Sequence, residues 1–225
     1  MLTVHNLSCE RDERLLFTEL NFSLHAGELL QIEGQNGSGK TSLLRILCGL
    51  SSHYAGSILW QQQDVQAVFS TYLQSVLYVG HHAGVKASLT VEENLQWMQT
   101  LHPLLNKCSP AEALHSVGLY GYEDVPCYTL SAGQQRRVSL ARLYLSNHPL
   151  WILDEPFTAL DKKGVLEKET LIANHVLQGG LCILTTHHDF NLPQHTFRRI
   201  NLDDLALKQR QSSATATQDT TAAYS

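Results

Sequence analysis

The spacing of apolar residues predicts three kinds of segment along this chain. Residues 2–7 (LTVHNL) and 16–24 (LFTELNFSL) alternate apolar with polar positions, which is typical of half-buried strands in an antiparallel layer. Residues 149–156 (PLWILDEP) and 179–189 (GGLCILTTHHD) contain uniform apolar runs between turn signals, which suits strands buried on both faces of a parallel sheet. Residues 40–50 (KTSLLRILCGL) have the spacing of a helix, so the pattern favours an α/β fold.

Helical signals dominate the middle of the chain, from about residue 85 to 145. Thr90 with Glu93, and Ser109 with Glu112, have the spacing of a capping box, in which a hydroxyl and a carboxylate satisfy backbone N–H groups at a helix start. The sequence therefore predicts helices that begin near both positions.

We predict one domain over residues 1–205, with an antiparallel β layer and a helical subdomain inserted at about residues 85–145. Residues 206–225 (ALKQRQSSATATQDTTAAYS) are mostly small and polar and lack periodicity, so we expect a disordered tail there. No window approaches 18 uninterrupted apolar residues, and the charged start of the chain does not resemble a signal peptide.

Composition narrows the classes of function. The net charge of −5 gives no basic footprint, so we expect no nucleic-acid partner. The five cysteines are scattered and have no CxxC spacing, which argues against a disulfide framework or a zinc site and fits a reducing cytoplasm.

A glycine-rich loop lies between a short apolar strand and the helix at residues 40–50. Its sequence, GQNGSGKT, matches the phosphate-binding pattern G-x-x-x-x-G-K-[ST] in the expected strand–loop–helix setting. Glycines let backbone N–H groups wrap around a phosphate, Lys40 would neutralise phosphate charge, and the Thr41 hydroxyl would coordinate Mg²⁺. The predicted nucleotide contacts are Gly34, Gln35, Asn36, Gly37, Ser38, Gly39, Lys40, Thr41 and Ser42.

Two acidic residues follow the apolar run at residues 150–153. Asp154 would hold Mg²⁺ at the carboxyl end of that strand, and Glu155 would orient and deprotonate the attacking water. Alone, this pair could equally cap a helix, but together with the phosphate loop it predicts an ATPase.

A third motif opens the helix at residues 129–143 (TLSAGQQRRVSLARL). Ser131 and Gln134 have capping-box spacing, and the small residues Ala132 and Gly133 leave the backbone N–H groups of the first turn uncovered. Such a helix start attracts anions.

The segments GQNGSGKT, LSAGQ, LWILDEP, TALD and TTHHD, in this order, resemble the nucleotide-binding subunits of ATP-binding cassette (ABC) transporters over about residues 1–205. The fold that this resemblance implies is the ABC ATPase form of the P-loop NTPase fold. The segments CERDER, GHHAGVK and LSAGQQRRVSLARL are similar to the haem-exporter ATP-binding subunits of cytochrome c maturation.

The resemblance implies a head-to-tail homodimer in which the LSAGQ helix of one subunit covers the γ-phosphate of ATP bound by the other. Ser131, Ala132, Gly133 and Gln134 would then contact the partner's nucleotide, and Asp161 of TALD would lie at the dimer seam. Asp161 could also cap the helix that follows it. His187 would contact the γ-phosphate and help to hold the attacking water.

Two positions depart from the usual pattern of the family. His81 stands where a Mg²⁺-binding glutamine is usual, and its imidazole could serve as a metal contact. Arg11 stands where an aromatic residue usually stacks on adenine, and a guanidinium plane can stack on a base as well. Adjacent histidines make poor two-point ligands, so direct haem binding is not favoured.

The resemblance implies a cytoplasmic ATPase that uses ATP and Mg²⁺ at the cytoplasmic face of the bacterial inner membrane. Its partners would be the integral-membrane transporter subunits of cytochrome c maturation. Two alternatives remain: the energising subunit of another transporter, which would carry the same motifs, and a soluble ABC ATPase that acts on ribosomes or DNA.

Overall fold

The structure, a computed structural model, describes residues 1–186 and 197–205. It contains two β-sheets, and helices cover the larger one. The strands are β1 (Leu2–Arg11), β2 (Arg14–Leu24), β3 (Leu29–Glu33), β4 (Ala55–Trp60), β5 (Gln63–Asp64), β6 (Val76–Val79), β7 (Leu150–Asp154), β8 (Leu181–Thr185) and β9 (Phe197–Asn201). The helices are α1 (Lys40–Leu47), α2 (Phe69–Ser75), α3 (Val91–Leu101), α4 (Pro110–Ser116), α5 (Ala132–Leu145) and α6 (Lys162–Leu177), with a 3-10 turn at Cys127–Thr129.

The antiparallel sheet confirms both strands predicted from the N-terminal sequence. Its strand order is β2-β1-β4-β5, and Leu2 pairs with Leu24 and Val4 with Phe22 across β1 and β2. These four apolar side chains are buried, because they occupy the face that packs on the core. The antiparallel layer therefore covers one side of the domain.

The second sheet is parallel, in the order β6-β7-β8-β3-β9. Both of its faces are buried: in β7, Leu150 and Ile152 join one apolar cluster, with α1 and the antiparallel sheet, and Trp151 and Leu153 join the other, with α3 to α6. Because both faces of β7 are buried, residues 150–153 are all apolar and do not alternate with polar residues, as predicted.

The helices predicted in the middle of the chain are present, and both capping boxes are confirmed. Thr90 caps α3 with Glu93, and Ser109 caps α4 with Glu112. Four of the named strands and helices were not predicted, namely α2, β5, β6 and β9, because each is short and lacks clear periodicity or turn signals. The predicted tail at residues 206–225 lies outside the described residues. Among residues 1–186 and 197–205, no helix combines the length and the hydropathy needed to cross a bilayer.

A buried polar cluster joins the end of α5 to β7. The Ser146 hydroxyl accepts from the indole N–H of Trp151 (3.1 Å) and from the backbone N–H of His148 (3.1 Å), and it lies 3.0 Å from His148 Nδ1. Because the oxygen already accepts two hydrogen bonds, its own proton is available to Nδ1, which must then be unprotonated. Burial, together with the charges of the nearby His102 and Arg142, lowers the pKa of His148 to about 4.

We expect this cluster to make stability depend on pH. A histidine whose pKa is lowered in the folded state stabilises it fully above pH 6.5, and this contribution is lost as the pH falls toward 4. For His148, which is 2% exposed, the loss amounts to roughly 3 kcal/mol. Urea unfolding measured from pH 7 to pH 4.5 should show a falling free energy of unfolding.

The slope should shrink in His148→Asn, whose amide oxygen can replace Nδ1 as an acceptor but cannot be protonated. It should be retained in His53→Asn, because His53 is exposed. An equal slope in His148→Asn and the wild type would contradict this assignment.

Candidate functional site

The candidate site lies where strands of the parallel sheet end together. β3, β7 and β8 run in the same direction, so Glu33, Asp154 and Thr185 finish at one edge. In open α/β sheets, ligands bind in the crevice outside this edge. The predicted phosphate loop follows β3 there and leads directly into α1.

The loop is shaped by glycine and held from two directions. Gly34 has φ of 144°, and a Cβ at this position would lie 2.4 Å from Ser38 Oγ, so no other residue fits without rearrangement. Lys40 Nζ donates to the carbonyl oxygens of Gly34 (2.6 Å) and Gln35 (3.1 Å). The backbone N–H of Gln35 donates to the Asp203 carboxylate at 2.8 Å. The Lys40 ammonium group therefore lies against the backbone of the predicted phosphate loop.

A hydroxyl–carboxylate network connects the loop to the sheet. Asp154, 2% exposed, accepts from the Thr41 hydroxyl at 3.0 Å on one oxygen and from the Thr185 hydroxyl at 2.8 Å on the other. Hydroxyl and carboxylate oxygens are the hard ligands that Mg²⁺ prefers. The predicted pair Thr41 and Asp154 is thus brought together in a form that fits this ion.

Glu155 has an unusual backbone conformation. Its φ of 49° lies in the left-handed region, which costs a non-glycine residue about 1–3 kcal/mol and persists only where the surroundings enforce it. Its N–H donates to the carbonyl (3.2 Å) and the hydroxyl (3.0 Å) of Thr185. Its carbonyl accepts from Arg136 at 2.8 Å. The peptide is fixed on both sides, so the carboxylate projects from a rigid base.

An open cavity of about 620 Å³ lies over the loop. Most of the predicted site residues line this cavity, including Arg11 and His81, which depart from the family pattern. Its lining comprises Arg11, Leu16, Asn36, Gly37, Gly39, Lys40, Thr41, Ser42, His81, Asp154, Glu155 and Thr158. Arg11 is exposed and pairs with Asp12 at 3.4 Å, so its guanidinium can move to meet a ligand. Leu16 and Thr158 were not predicted.

The predicted contacts around Ser131 lie elsewhere. Ser131 caps α5 and accepts from the N–H of Gln134, whose side chain accepts from the N–H of Ser131, which confirms the capping box. Ser131 and Ala132 are exposed, and neither they nor Gly133 are among the described residues that line the cavity. The start of α5 is therefore not part of this cavity.

Asp161 caps α6 by accepting from the N–H of Gly164 at 2.9 Å, and it lies 3.9 Å from Arg137. The capping role considered for it is thus present. The predicted contact His187 lies outside the described residues.

Sequence reasoning missed three residues that hold the site in shape. Asp203 binds the phosphate loop, Thr185 binds Asp154 and Glu155, and Arg136 binds the backbone behind both acidic residues. Thr185 is the first residue of the TTHHD segment, so the sequence gave a reason to consider it. Asp203 follows β9, a strand that was not predicted, and lies in none of the motifs found in the sequence.

The chain matches known proteins over most of its length. The sequence pattern of the ABC transporter family matches residues 17–158. Two relatives are named cytochrome c biogenesis ATP-binding export protein CcmA. The one from Vibrio cholerae is 53% identical over 91% of this chain and 99% of its own length. The one from Pseudomonas putida is 52% identical over 91% of this chain and 100% of its own length.

A solved structure has the same fold. It is a dimeric ATP-binding cassette in a post-hydrolysis state, bound to ADP and phosphate. It is 22% identical, with a TM-score of 0.75, and the match covers 89% of this chain and 94% of that one.

Proposed function

Because the chain belongs to the ABC transporter family, we propose that it is the ATP-hydrolysing subunit of a membrane complex for cytochrome c biogenesis. The observation that carries this proposal is the convergence of Lys40, Thr41, Asp154 and Glu155 on one cavity. We further propose that residues 1–205 form a single nucleotide-binding domain with its helical part at about residues 85–145.

ATP would bind with its phosphates in the glycine-rich loop. Lys40 would exchange the carbonyl oxygens of Gly34 and Gln35 for phosphate oxygens, because an ammonium group forms stronger hydrogen bonds with anions than with neutral acceptors. The loop residues from Gly34 to Ser42 would supply backbone N–H groups, and Arg11 would stack on the adenine at the rim of the cavity.

Mg²⁺ fits the oxygens of Thr41 and Asp154, with His81 on the same cavity wall as a further contact. When bound, the ion neutralises charge on the phosphates and favours departure of ADP. The Thr185 hydroxyl orients Asp154 toward the loop through the opposite carboxylate oxygen.

Hydrolysis would proceed by in-line attack of water on the γ-phosphate. Glu155 would accept the proton of this water, and Lys40 and His187 would stabilise the charge that develops on the phosphate oxygens. Because its peptide is fixed by Thr185 and Arg136, Glu155 can hold water without first reorganising.

The site would be completed by a second copy of the chain, arranged head to tail. Ser131 caps a 14-residue helix that begins with Ala132, Gly133 and Gln134. Ser131 and Ala132 are exposed, and this end of a helix stabilises anions. We propose that this turn covers the partner's γ-phosphate and that Asp161 lies at the seam. The related cassette described above is a dimer.

The membrane partners would be the integral-membrane subunits of cytochrome c maturation, with this chain at the cytoplasmic face of the bacterial inner membrane. Purification of the chain from its native membrane in mild detergent tests this assignment. We expect cytochrome-maturation proteins to copurify and the complex to hydrolyse ATP. Recovery with the subunits of a nutrient importer would refute the biogenesis role while leaving the ATPase assignment intact.

A further inference from the structure

Arg136 connects three parts of the site that lie far apart in sequence. It is located in the second turn of α5, five residues after Ser131, and only 6% of it is exposed. Its guanidinium donates to the carbonyl oxygens of Gly80, in the loop after β6, and of Asp154 (3.0 Å) and Glu155 (2.8 Å), where β7 ends and the next loop begins. Gly80 is the residue before His81, so one side chain connects α5 to the backbone of both loops.

We propose that Arg136 is a positioning residue that holds the strained peptide of Glu155 and the loop of His81 in register with the start of α5. Through it, contact between Ser131 and the partner's ATP would be transmitted to the chain's own Glu155. This inference rests on the proposed function, because it presupposes hydrolysis at Glu155 and a shared site.

The first support is the backbone strain at Glu155. Its left-handed conformation is held by Thr185 on the N–H side and, on the carbonyl side, by Arg136 at 2.8 Å and more weakly by the Thr158 N–H at 3.3 Å. Without the guanidinium, the Glu155 carbonyl loses a charge-assisted hydrogen bond on that side, and the peptide can relax toward an ordinary conformation. The carboxylate would then move relative to the phosphate loop.

The second support is the shape of the guanidinium. It is planar and offers five N–H donors in a fixed fork, so it can bind carbonyl oxygens on two loops at once. A lysine ammonium is a single point with rotating donors and cannot span the same three acceptors. A glutamine amide has only two N–H donors. The arrangement therefore requires arginine and not merely a positive charge.

Arg142, on the same helix, offers a control for Arg136. Arg142 is also oriented inward, but it donates to the carbonyl oxygens of Tyr78 (3.2 Å) and Ser139 (3.1 Å), and none of its hydrogen bonds among the described residues reaches Asp154 or Glu155. It therefore provides a matched control: an inward-facing arginine on α5 that binds backbone carbonyl groups without contacting the acidic pair.

The test compares Arg136→Gln, Arg136→Lys and Arg142→Gln in the full-length chain, at a temperature where thermal melting shows all of them folded. ATP affinity is measured by displacement of a fluorescent nucleotide, and kcat by phosphate release. We expect kcat to fall at least about tenfold in both Arg136 variants, because a misplacement of about 1 Å can cost up to 100-fold. ATP affinity should stay within about twofold of the wild type, and Arg142→Gln should retain its kcat.

Three outcomes would overturn the inference. The first is wild-type turnover in Arg136→Gln. The second is full turnover in Arg136→Lys, which would assign the effect to charge alone. The third is an equal loss of turnover in the Arg136 and Arg142 variants, which would indicate a general packing role. Absence of hydrolysis by the wild type would instead refute the proposed function, so the two failures are distinguishable.

Discussion

Glu155→Gln should bind ATP as tightly as the wild type and hydrolyse it about 10²–10⁴-fold more slowly, the range typical of a lost general base. The amide keeps the size of the carboxylate but cannot accept a proton from water. The backbone hydrogen bonds to Thr185 and Arg136 do not involve the side chain, so the fold and the phosphate loop should be preserved. Because ATP persists, the variant should accumulate as an ATP-bound dimer.

Single-turnover phosphate release measures the rate, and size-exclusion chromatography with and without ATP measures dimer formation. Glu19→Gln is the control, since Glu19 is an exposed carboxylate of β2 and does not line the cavity. Rapid turnover in Glu155→Gln would show that another group removes the proton.

The second large effect comes from mixing two inactive variants. Lys40→Ala removes the ammonium that would neutralise the phosphates, and Ser131→Arg places a bulky side chain on the exposed first turn of α5. We expect each variant alone to lose about 100-fold or more in turnover, in line with the loss of a group that stabilises transition-state charge. In a head-to-tail dimer, a mixed pair contains one intact site, formed by Lys40 of one copy and Ser131 of the other.

Turnover measured after the two variants are mixed in equal amounts should therefore exceed the sum of their separate values. Each variant measured alone, at the concentration that it has in the mixture, gives the baseline. If the mixture stays at that sum while the wild type remains active when strictly monomeric, each chain hydrolyses ATP alone and the shared site is wrong.

Local signals were sufficient for the elements that carry the motifs. The strands β1 and β2, the buried strands β7 and β8 and the capping boxes at Thr90, Ser109 and Ser131 were predicted from neighbours within a few residues, and all are confirmed. The glycine-rich loop between β3 and α1 could be located for the same reason, since its pattern is a contiguous set of glycines with one lysine, and its phosphate-binding role stays a prediction.

What the sequence could not predict is the set of contacts that joins distant segments. Arg136 binds carbonyl oxygens 56 and 19 residues away, and the Asp203 carboxylate binds an N–H group 168 residues away. A buried arginine looks like an exposed one in the sequence, because its partners are backbone groups that carry no residue identity. Short strands such as β6 and β9 are equally hard to predict, because pairing with neighbours stabilises them more than their own pattern does.

The contact between Asp203 and Gln35 has a consequence for the order in which the protein is made. During synthesis, β3 and the phosphate loop leave the ribosome early. The two strands that pair with β3, which are β8 and β9, are made only near residue 205, and so is the Asp203 carboxylate that binds the loop. A nascent chain carrying every early motif still lacks the neighbours that shape its loop. We therefore expect nucleotide binding only after nearly all of residues 1–205 have been translated.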